Sequence, residues 1–153
     1  MCGFIDRRSP DRLKAALSEN PDIDRLVMQY VPGGYDGIKP VFEIAQMMQK
    51  RDMAVHVPKN GLIASFGTTV FVAGTKRTVD NSGKVGVHAW TNRYQTVDPT
   101  SHRNAKAHKV LIGYYTSLGI PEDFYWFTVK AAPFESMYYM SRRELKRFKI
   151  VTQ

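Results

Sequence analysis

The clearest sign of chemistry in the sequence is a single serine in front of an apolar run. Ser65 lies within GLIASFGTTVFVAG, residues 61–74, and the segment that follows it is almost wholly apolar. A serine hydroxyl at the start of a helix can act as a nucleophile when a base and unpaired backbone N–H groups support it. The same hydroxyl can instead cap the helix by accepting a hydrogen bond from its first turn. The sequence pattern is compatible with both roles.

A histidine and a pair of glycines could complete such a site. His88 ends the apolar segment KVGVH, and an imidazole is a common general base for a serine nucleophile. Gly33 and Gly34 follow an apolar run that ends at Val31. Gly34 lets the backbone approach a substrate closely because it has no Cβ. The alternative for His88 is an ordinary histidine at the end of a strand.

The hydrophobic pattern predicts the elements that would position these residues. Short apolar runs predict strands, and apolar residues at helical spacing predict helices. The predicted strands are 25–30, 54–57 and 84–88. The predicted helices begin at Ser9, Ile38, Ser65, Ala107 and Pro121, and Ser141 is predicted to cap a last helix. Residues 90–100 are predicted to form a loop. This alternation favours an α/β fold with mostly parallel strands. Because the carboxyl ends of parallel strands meet at one edge, we expect the glycine turn and Ser65 to lie side by side.

Length and composition indicate one domain. The chain has 153 residues with 43% hydrophobic content, which suffices for one core but not comfortably for two, so we expect a single domain over residues 1–153, with a truncated N-terminus left open. The longest uncharged stretch, 61–75, is shorter than the roughly 20 apolar residues of a spanning helix, so no membrane span is expected. The first residues lack the apolar core of a signal peptide. Localisation stays undetermined.

Charge and metal-ligand patterns favour neither nucleic acid nor a metal. The net charge of +8 is scattered, apart from Arg142–Lys149 and Lys76–Arg77, and no groove-reading motif surrounds these clusters. Cys2 is the only cysteine, which excludes an internal disulfide and a multi-thiolate zinc site. His102 and His108 are six residues apart, which is not the spacing of a helical metal pair, so both are expected at the surface. We expect no metal, no cofactor and no nucleic acid partner.

Four segments, in order along the chain, resemble the Clp protease proteolytic subunit. They are GLIASFGTTVFVAG, the Pro-Gly-Gly turn at 32–34 with Gly37 and the helix after it, VGVH at 85–88, and YMSRREL at 139–145. The similarity spans about residues 3–152 and is closest to small bacterial Clp-like proteins of uncharacterised role, many of them exported. It implies the Clp/crotonase-like fold, in which repeated ββα units form a spiral of mostly parallel strands. It also implies a homo-oligomer.

The resemblance assigns roles to particular residues. It implies that Ser65 is the nucleophile, that His88 is the general base, and that the backbone N–H groups of Gly34 and Phe66 form the oxyanion hole. The aspartate of the family falls on Met137, which cannot orient or stabilise an imidazolium.

Two carboxylates could replace the missing aspartate. Glu135 is preferred because it lies near the expected position, and Asp98, in the segment after His88, is the alternative. Related peptidases use a lysine as base, and Lys106 could take that role, although a solvated helix lysine is the simpler interpretation.

Three functions follow from the resemblance. The first is a serine hydrolase, most plausibly a peptidase, acting on a peptide or another acyl substrate. The second is a scaffold or binding protein of the same fold that has lost catalysis, with Met137 as its signature. The third and weakest is an acyl-CoA-binding enzyme of the crotonase type, in which a Ser-His pair is not expected.

Overall fold

The first half of the chain repeats a unit of two short strands followed by a helix. The computed structural model describes residues 1–92, 95–96 and 105–152. After α1 (Ser9–Glu19) come β1 (Arg25–Val27), β2 (Tyr30–Val31) and α2 (Lys39–Lys50), then β3 (Ala54–Val57), β4 (Leu62–Ala64) and α3 (Phe66–Phe71), and then β5 (Arg77–Val79) and β6 (Lys84–Val87). The predicted ββα repeat is therefore present.

The two strands of each repeat belong to different sheets. The first strands form a parallel sheet in the order β1, β3, β5. The second strands run in the order β2, β4, β6, and β2 pairs with β4 in parallel. The predicted α/β fold with mostly parallel strands is confirmed.

One predicted strand is in fact two. Residues 25–30 were expected to form a single strand, but β1 ends at Val27 and β2 begins at Tyr30. Between them the Met28 amide donates to the His56 carbonyl of the first sheet, while the Gln29 carbonyl accepts from Leu62 in the second. The chain changes hydrogen-bond partners at this point and so crosses from one sheet to the other. An apolar run does not reveal such a crossing, because both halves are hydrophobic.

The chain divides into two compact units, Met1–Val85 with Val151–Gln153, and Gly86–Ile150. The second unit contains β7 (Thr91–Asn92), β8 (Gln95–Thr96), α4 (Ala105–Ser117), α5 (Glu122–Ala131), β9 (Tyr138–Tyr139) and α6 (Arg142–Arg147). The antiparallel pair of β7 and β8 lies where a loop was predicted, and β9 pairs antiparallel with the end of β6. The single domain expected from length and composition stays a prediction.

Local signals correctly predicted the start of α6. Ser141 is its N-cap: the hydroxyl accepts from the Glu144 amide, and the Glu144 carboxylate accepts from the Ser141 amide at 2.8 Å. This reciprocal capping box satisfies two amides that the helix would leave unpaired. No helix in the described part of the chain is both long and apolar enough to cross a membrane.

The core of the first unit packs α3 directly onto β2. Both Val70 and Phe71 of α3 are fully buried, as is Val31 of β2. The contact is closest at Gly67, where a methyl group on Cα would lie 2.1 Å from the Val31 carbonyl oxygen. Main-chain atoms form the other side of this contact, so a side-chain rotation cannot relieve it.

We expect Gly67→Ala to lower the free energy of unfolding by about 3 kcal/mol, because overpacking against a fixed backbone is costly. Gly113 in the interior of α4 is the matched control, since nothing lies within 4 Å of a methyl group there. Gly113→Ala should raise stability by roughly 0.5–1 kcal/mol. Urea denaturation of both variants measures the difference, and a Gly67→Ala variant as stable as the parent would contradict the packing of α3 on β2.

Candidate active site

Ser65 is the single residue between a strand and a helix. Strand β4 ends at Ala64 and α3 begins at Phe66, so Ser65 makes the whole turn, with φ +53° and ψ −123°. A residue with a Cβ rarely adopts such a conformation, which costs of order 1–3 kcal/mol and persists only where the surrounding structure imposes it. Strain of this kind concentrates at functional sites, and serine hydrolases of another fold present their nucleophile on a similarly sharp turn.

The Ser65 hydroxyl does not cap α3. Ser65 occupies the N-cap position, but its side chain accepts no hydrogen bond from the helix. The first turn is closed instead by the Ser65 carbonyl, which accepts from the Thr69 amide at 3.2 Å. The side chain is half-buried, and its hydroxyl has no hydrogen-bond partner within the first unit. Of the two roles that the sequence allowed, the cap is therefore wrong.

The glycine turn lies beside Ser65, as expected. Because β2 and β4 are parallel neighbours, with Val31 opposite Ile63, the residues that follow both strands emerge together. A methyl group on Gly33 would lie 3.5 Å from Ser65 Cβ and 3.8 Å from its Oγ. The prediction that these two junctions meet at one sheet edge is confirmed.

Two backbone amides near Ser65 are available as donors. The Ile5 amide donates to the Gly33 carbonyl, and the Ile5 carbonyl accepts from the Tyr35 amide, so that Ile5 and Gly34 form a parallel bridge. In such a bridge the N–H of Gly34 points away from Ile5. Phe66 is the first residue of α3, where the amides have no partner inside the helix. Within the first unit, neither N–H donates a hydrogen bond.

Gly34 is confined by the same contacts. A methyl group there would lie 2.6 Å from the Ile5 carbonyl oxygen and 3.1 Å from the Phe66 ring. A glycine is therefore required at this position by packing as well as by any approach of a substrate. The contact also shows that the chain at Gly34 and the start of α3 are neighbours.

His88, in the second unit, contacts both the main chain and the side chain of Phe134. It directly follows β6 and is half-buried. Its Nδ1 lies 3.0 Å from the Phe134 carbonyl oxygen, and its ring lies 5.2 Å from the Phe134 ring. Burial lowers the pKa of His88, while the hydrogen bond to Phe134 and the negative charge of Glu135 act in the opposite direction. The net lowering favours the neutral imidazole, which is the form that a general base requires.

The other residues suggested for the site have different surroundings. Glu135 is exposed and acts on the His88 ring through its charge, and its role as third member stays a prediction. Met137 is half-buried just before β9. Lys106 is exposed on α4. Asp98 and His102 lie outside the described residues.

His108 was predicted at the surface and is instead buried, with 5% of its area exposed. Its Nδ1 bonds the Tyr125 hydroxyl, which also accepts from Trp90 Nε1 at 3.0 Å. In the described part of α4 the buried residues are His108 and Tyr115, which are seven apart and therefore lie on one face of the helix. Because histidine is polar, the hydrophobic pattern of the sequence did not indicate that this face is buried. Within the described residues, no cluster of three metal-ligating side chains is present.

Comparison with known proteins shows the fold. No protein-family model matches the sequence, and no curated protein is significantly similar to it. The ClpP protease catalytic domain from Plasmodium falciparum superposes with a TM-score of 0.68 at 19% identity, over 99% of this chain and 80% of that one. A mutant of the 1510-N membrane-bound stomatin-specific protease gives 0.67 at 14% identity, over 99% of this chain and 75% of that one. The chain has the Clp protease-like fold, as the four sequence segments predicted.

We expect the protein with glycine at position 65 to be more stable than the protein with alanine there, because only glycine adopts the observed backbone conformation without strain. The free energy of unfolding of Ser65→Gly should exceed that of Ser65→Ala by about 1 kcal/mol. Ser18 in α1 is the control: both variants lose its hydrogen bond to the Lys14 carbonyl, and there glycine should be about 1 kcal/mol less stable than alanine. The same order at both positions, measured by denaturation, would contradict the strained turn.

Proposed function

We propose that this protein is a Clp-like serine hydrolase, most plausibly a peptidase, with Ser65 as nucleophile and His88 as general base. The observation that carries the proposal is the strained turn at Ser65, whose hydroxyl caps nothing and lies against the Gly33-Gly34 loop. A capping serine would have ordinary backbone angles and a bonded side chain. The packing of α3 on β2 holds this strained turn, and the turn leaves the hydroxyl without a role in the helix cap, which supports a chemical role for it.

The proposed reaction is acyl transfer in two steps. His88 Nε2 takes the proton of the Ser65 hydroxyl as Oγ attacks the acyl carbon, and the N–H groups of Gly34 and Phe66 stabilise the oxygen that becomes negative. The leaving amine takes the proton from the imidazolium, and the C–N bond breaks to give an acyl-serine. Water then gives a proton to His88 and attacks the acyl carbon. The imidazolium returns this proton to Ser65 Oγ as the C–Oγ bond breaks, which releases the acid and restores the serine. His88 is half-buried, and burial lowers its pKa, which supports its role as base.

A peptide is favoured as the substrate over other acyl compounds because proteases share this fold. The two structural neighbours described above are proteases. The homo-oligomer expected from the resemblance stays a prediction.

A non-catalytic scaffold is the second candidate function. The observation that favours it is the partner of His88, which is a backbone carbonyl, while the position of the family aspartate holds Met137. A neutral partner stabilises the imidazolium less than a carboxylate does, and weakening that stabilisation slows acyl transfer. The two candidates predict opposite results with a reagent that traps an activated serine.

We expect a fluorophosphonate probe to label the parent protein at Ser65, because phosphonylation uses the same nucleophile, base and oxyanion donors as acyl transfer. Ser65→Ala should not be labelled, and His88→Ala should be labelled at least 100-fold more slowly. Ser82, which is exposed and bonds the Asn60 amide, provides the matched control: Ser82→Ala should be labelled like the parent. Peptide mapping by mass spectrometry identifies the modified serine. Absence of labelling in the folded parent protein would contradict the hydrolase and favour the scaffold.

We also expect the labelling rate to fall on the acid side of pH 6.5. Protonation of His88 removes the base, and burial lowers the pKa of His88 below its ordinary value of 6.5. The rate should therefore remain on its plateau as the pH decreases to 6.5 and should decline only below it. The pH dependence of the labelling rate constant measures this directly. A midpoint above pH 6.5 would contradict the buried, neutral imidazole as the base.

A further inference from the structure

We propose that the main-chain carbonyl of Phe134 is the third member of the site, in the position that a carboxylate holds in a serine triad. This inference rests on the hydrolase proposed above and names the group that orients its base. The carbonyl oxygen is a positioning group: it acts on the substrate only through the His88 ring.

The chemistry of the carbonyl determines which nitrogen of His88 carries the proton. The Phe134 oxygen lies 3.0 Å from Nδ1 and can only accept a hydrogen bond. Nδ1 must therefore be the donor, and in the neutral ring Nε2 is left with its lone pair. This is the tautomer that a general base for Ser65 needs. His56 shows the contrast, since its Nδ1 lies 2.8 Å from the Thr78 hydroxyl, which can donate or accept and so does not determine the tautomer.

The Phe134 carbonyl is available because it lies in the middle of a turn. The Ser136 amide donates to the Pro133 carbonyl at 3.0 Å, which closes a four-residue turn over 133–136. In such a turn the hydrogen bond joins the first and last residues and leaves the central peptide group without a partner in the turn. The carbonyl of that central peptide is the one that His88 uses.

Main-chain hydrogen bonds join the residues before and after His88 to the residues on either side of the turn. The residue before His88, Val87, is paired with Tyr138 in the antiparallel ladder of β6 and β9. The residue after it, Ala89, donates its amide to the Ala132 carbonyl at 2.8 Å. Main-chain hydrogen bonds therefore flank the contact between the ring and the carbonyl, and hold His88 and the turn at a set distance. Such support locks a site residue more firmly than one exposed side chain could.

Glu135 has a different role in this arrangement. It follows the carbonyl group in the chain, is exposed, and the charge of its carboxylate opposes the effect of burial on His88. Its charge is screened by solvent, so its removal should have a small effect. A directly bonded catalytic carboxylate would have a large effect, because replacing it by an amide in a serine triad costs about 10⁴-fold in rate. The two assignments thus differ by orders of magnitude in the behaviour of Glu135→Gln.

The first test is the tautomer of His88 in the full chain. Two-bond ¹H–¹⁵N correlation spectra of the protein labelled at histidine nitrogen, assigned with His88→Gln, distinguish the two neutral tautomers. Above the His88 pKa we expect the proton on Nδ1 in the parent, in Glu135→Gln and in Phe134→Ala, which keeps the carbonyl. A proton mainly on Nε2 in the parent, or its transfer there in Glu135→Gln, would overturn the inference.

The second test weakens the Phe134 carbonyl as a hydrogen-bond acceptor. Ligation of the chain at Ala131, followed by desulfurisation, allows the peptide bond between Phe134 and Glu135 to be replaced by an ester, whose carbonyl is a poorer acceptor. We expect the labelling rate at Ser65 to fall by about 3- to 10-fold, as for the weakening of one neutral hydrogen bond. Glu135→Gln should remain within about threefold of the parent. The ligated all-amide chain is the reference, and an ester between Ser136 and Met137 is the control.

These outcomes separate the inference from the function on which it rests. The inference is overturned if the 134–135 ester labels like the all-amide chain, or if Glu135→Gln loses 100-fold or more. If no chain is labelled at Ser65, the proposed hydrolase fails, while the tautomer spectrum still decides whether the carbonyl orients His88. The proton on Nδ1 together with the selective loss of rate in the 134–135 ester supports both.

Discussion

The contact between Gly67 and the Val31 carbonyl holds the start of α3 against β2, next to the turn at Ser65. It brings α3 so close to β2 that no side chain fits between them. Because α3 begins one residue after β4, the chain must turn from strand to helix within Ser65 alone. The positive φ of Ser65 follows from this geometry. The buried face of α3 provides the packing energy that offsets the strain.

The histidine is positioned by a different principle. Its orientation comes from main-chain hydrogen bonds at Val87, Ala89 and the ring itself. Burial lowers the pKa of the ring, and the nearby Glu135 charge opposes this effect through solvent. Such hydrogen bonds fix the orientation of the histidine ring, but a neutral carbonyl stabilises an imidazolium only weakly. For the hydrolase proposed above, this predicts slower acyl transfer than with a bonded carboxylate.

The sequence predicted those elements whose signals are local. Helix α2 follows from apolar residues three and four apart, and the start of α6 follows from Ser141 and Glu144, three residues apart. The meeting of the glycine turn with Ser65 was also predictable, because parallel strands collect their ends at one edge. Two of the failed predictions, the single strand over 25–30 and the exposure of His108, concern residues whose partners are distant in sequence. Neither a change of sheet nor a hydroxyl from another helix leaves a trace in the local pattern.

By itself the sequence determined the residue types, and it predicted the α/β class and the similarity to the Clp fold. The resemblance places Met137 where the Clp family has an aspartate, and that assignment stays a prediction. Only the tertiary structure decided that the Ser65 hydroxyl caps nothing and that the Phe134 carbonyl bonds His88. The reason is that every residue has backbone dihedral angles and a main-chain carbonyl, so the residue types do not indicate which of these groups takes part in a site. Which of them is strained, or left with an unused lone pair, depends on what the rest of the chain packs against it.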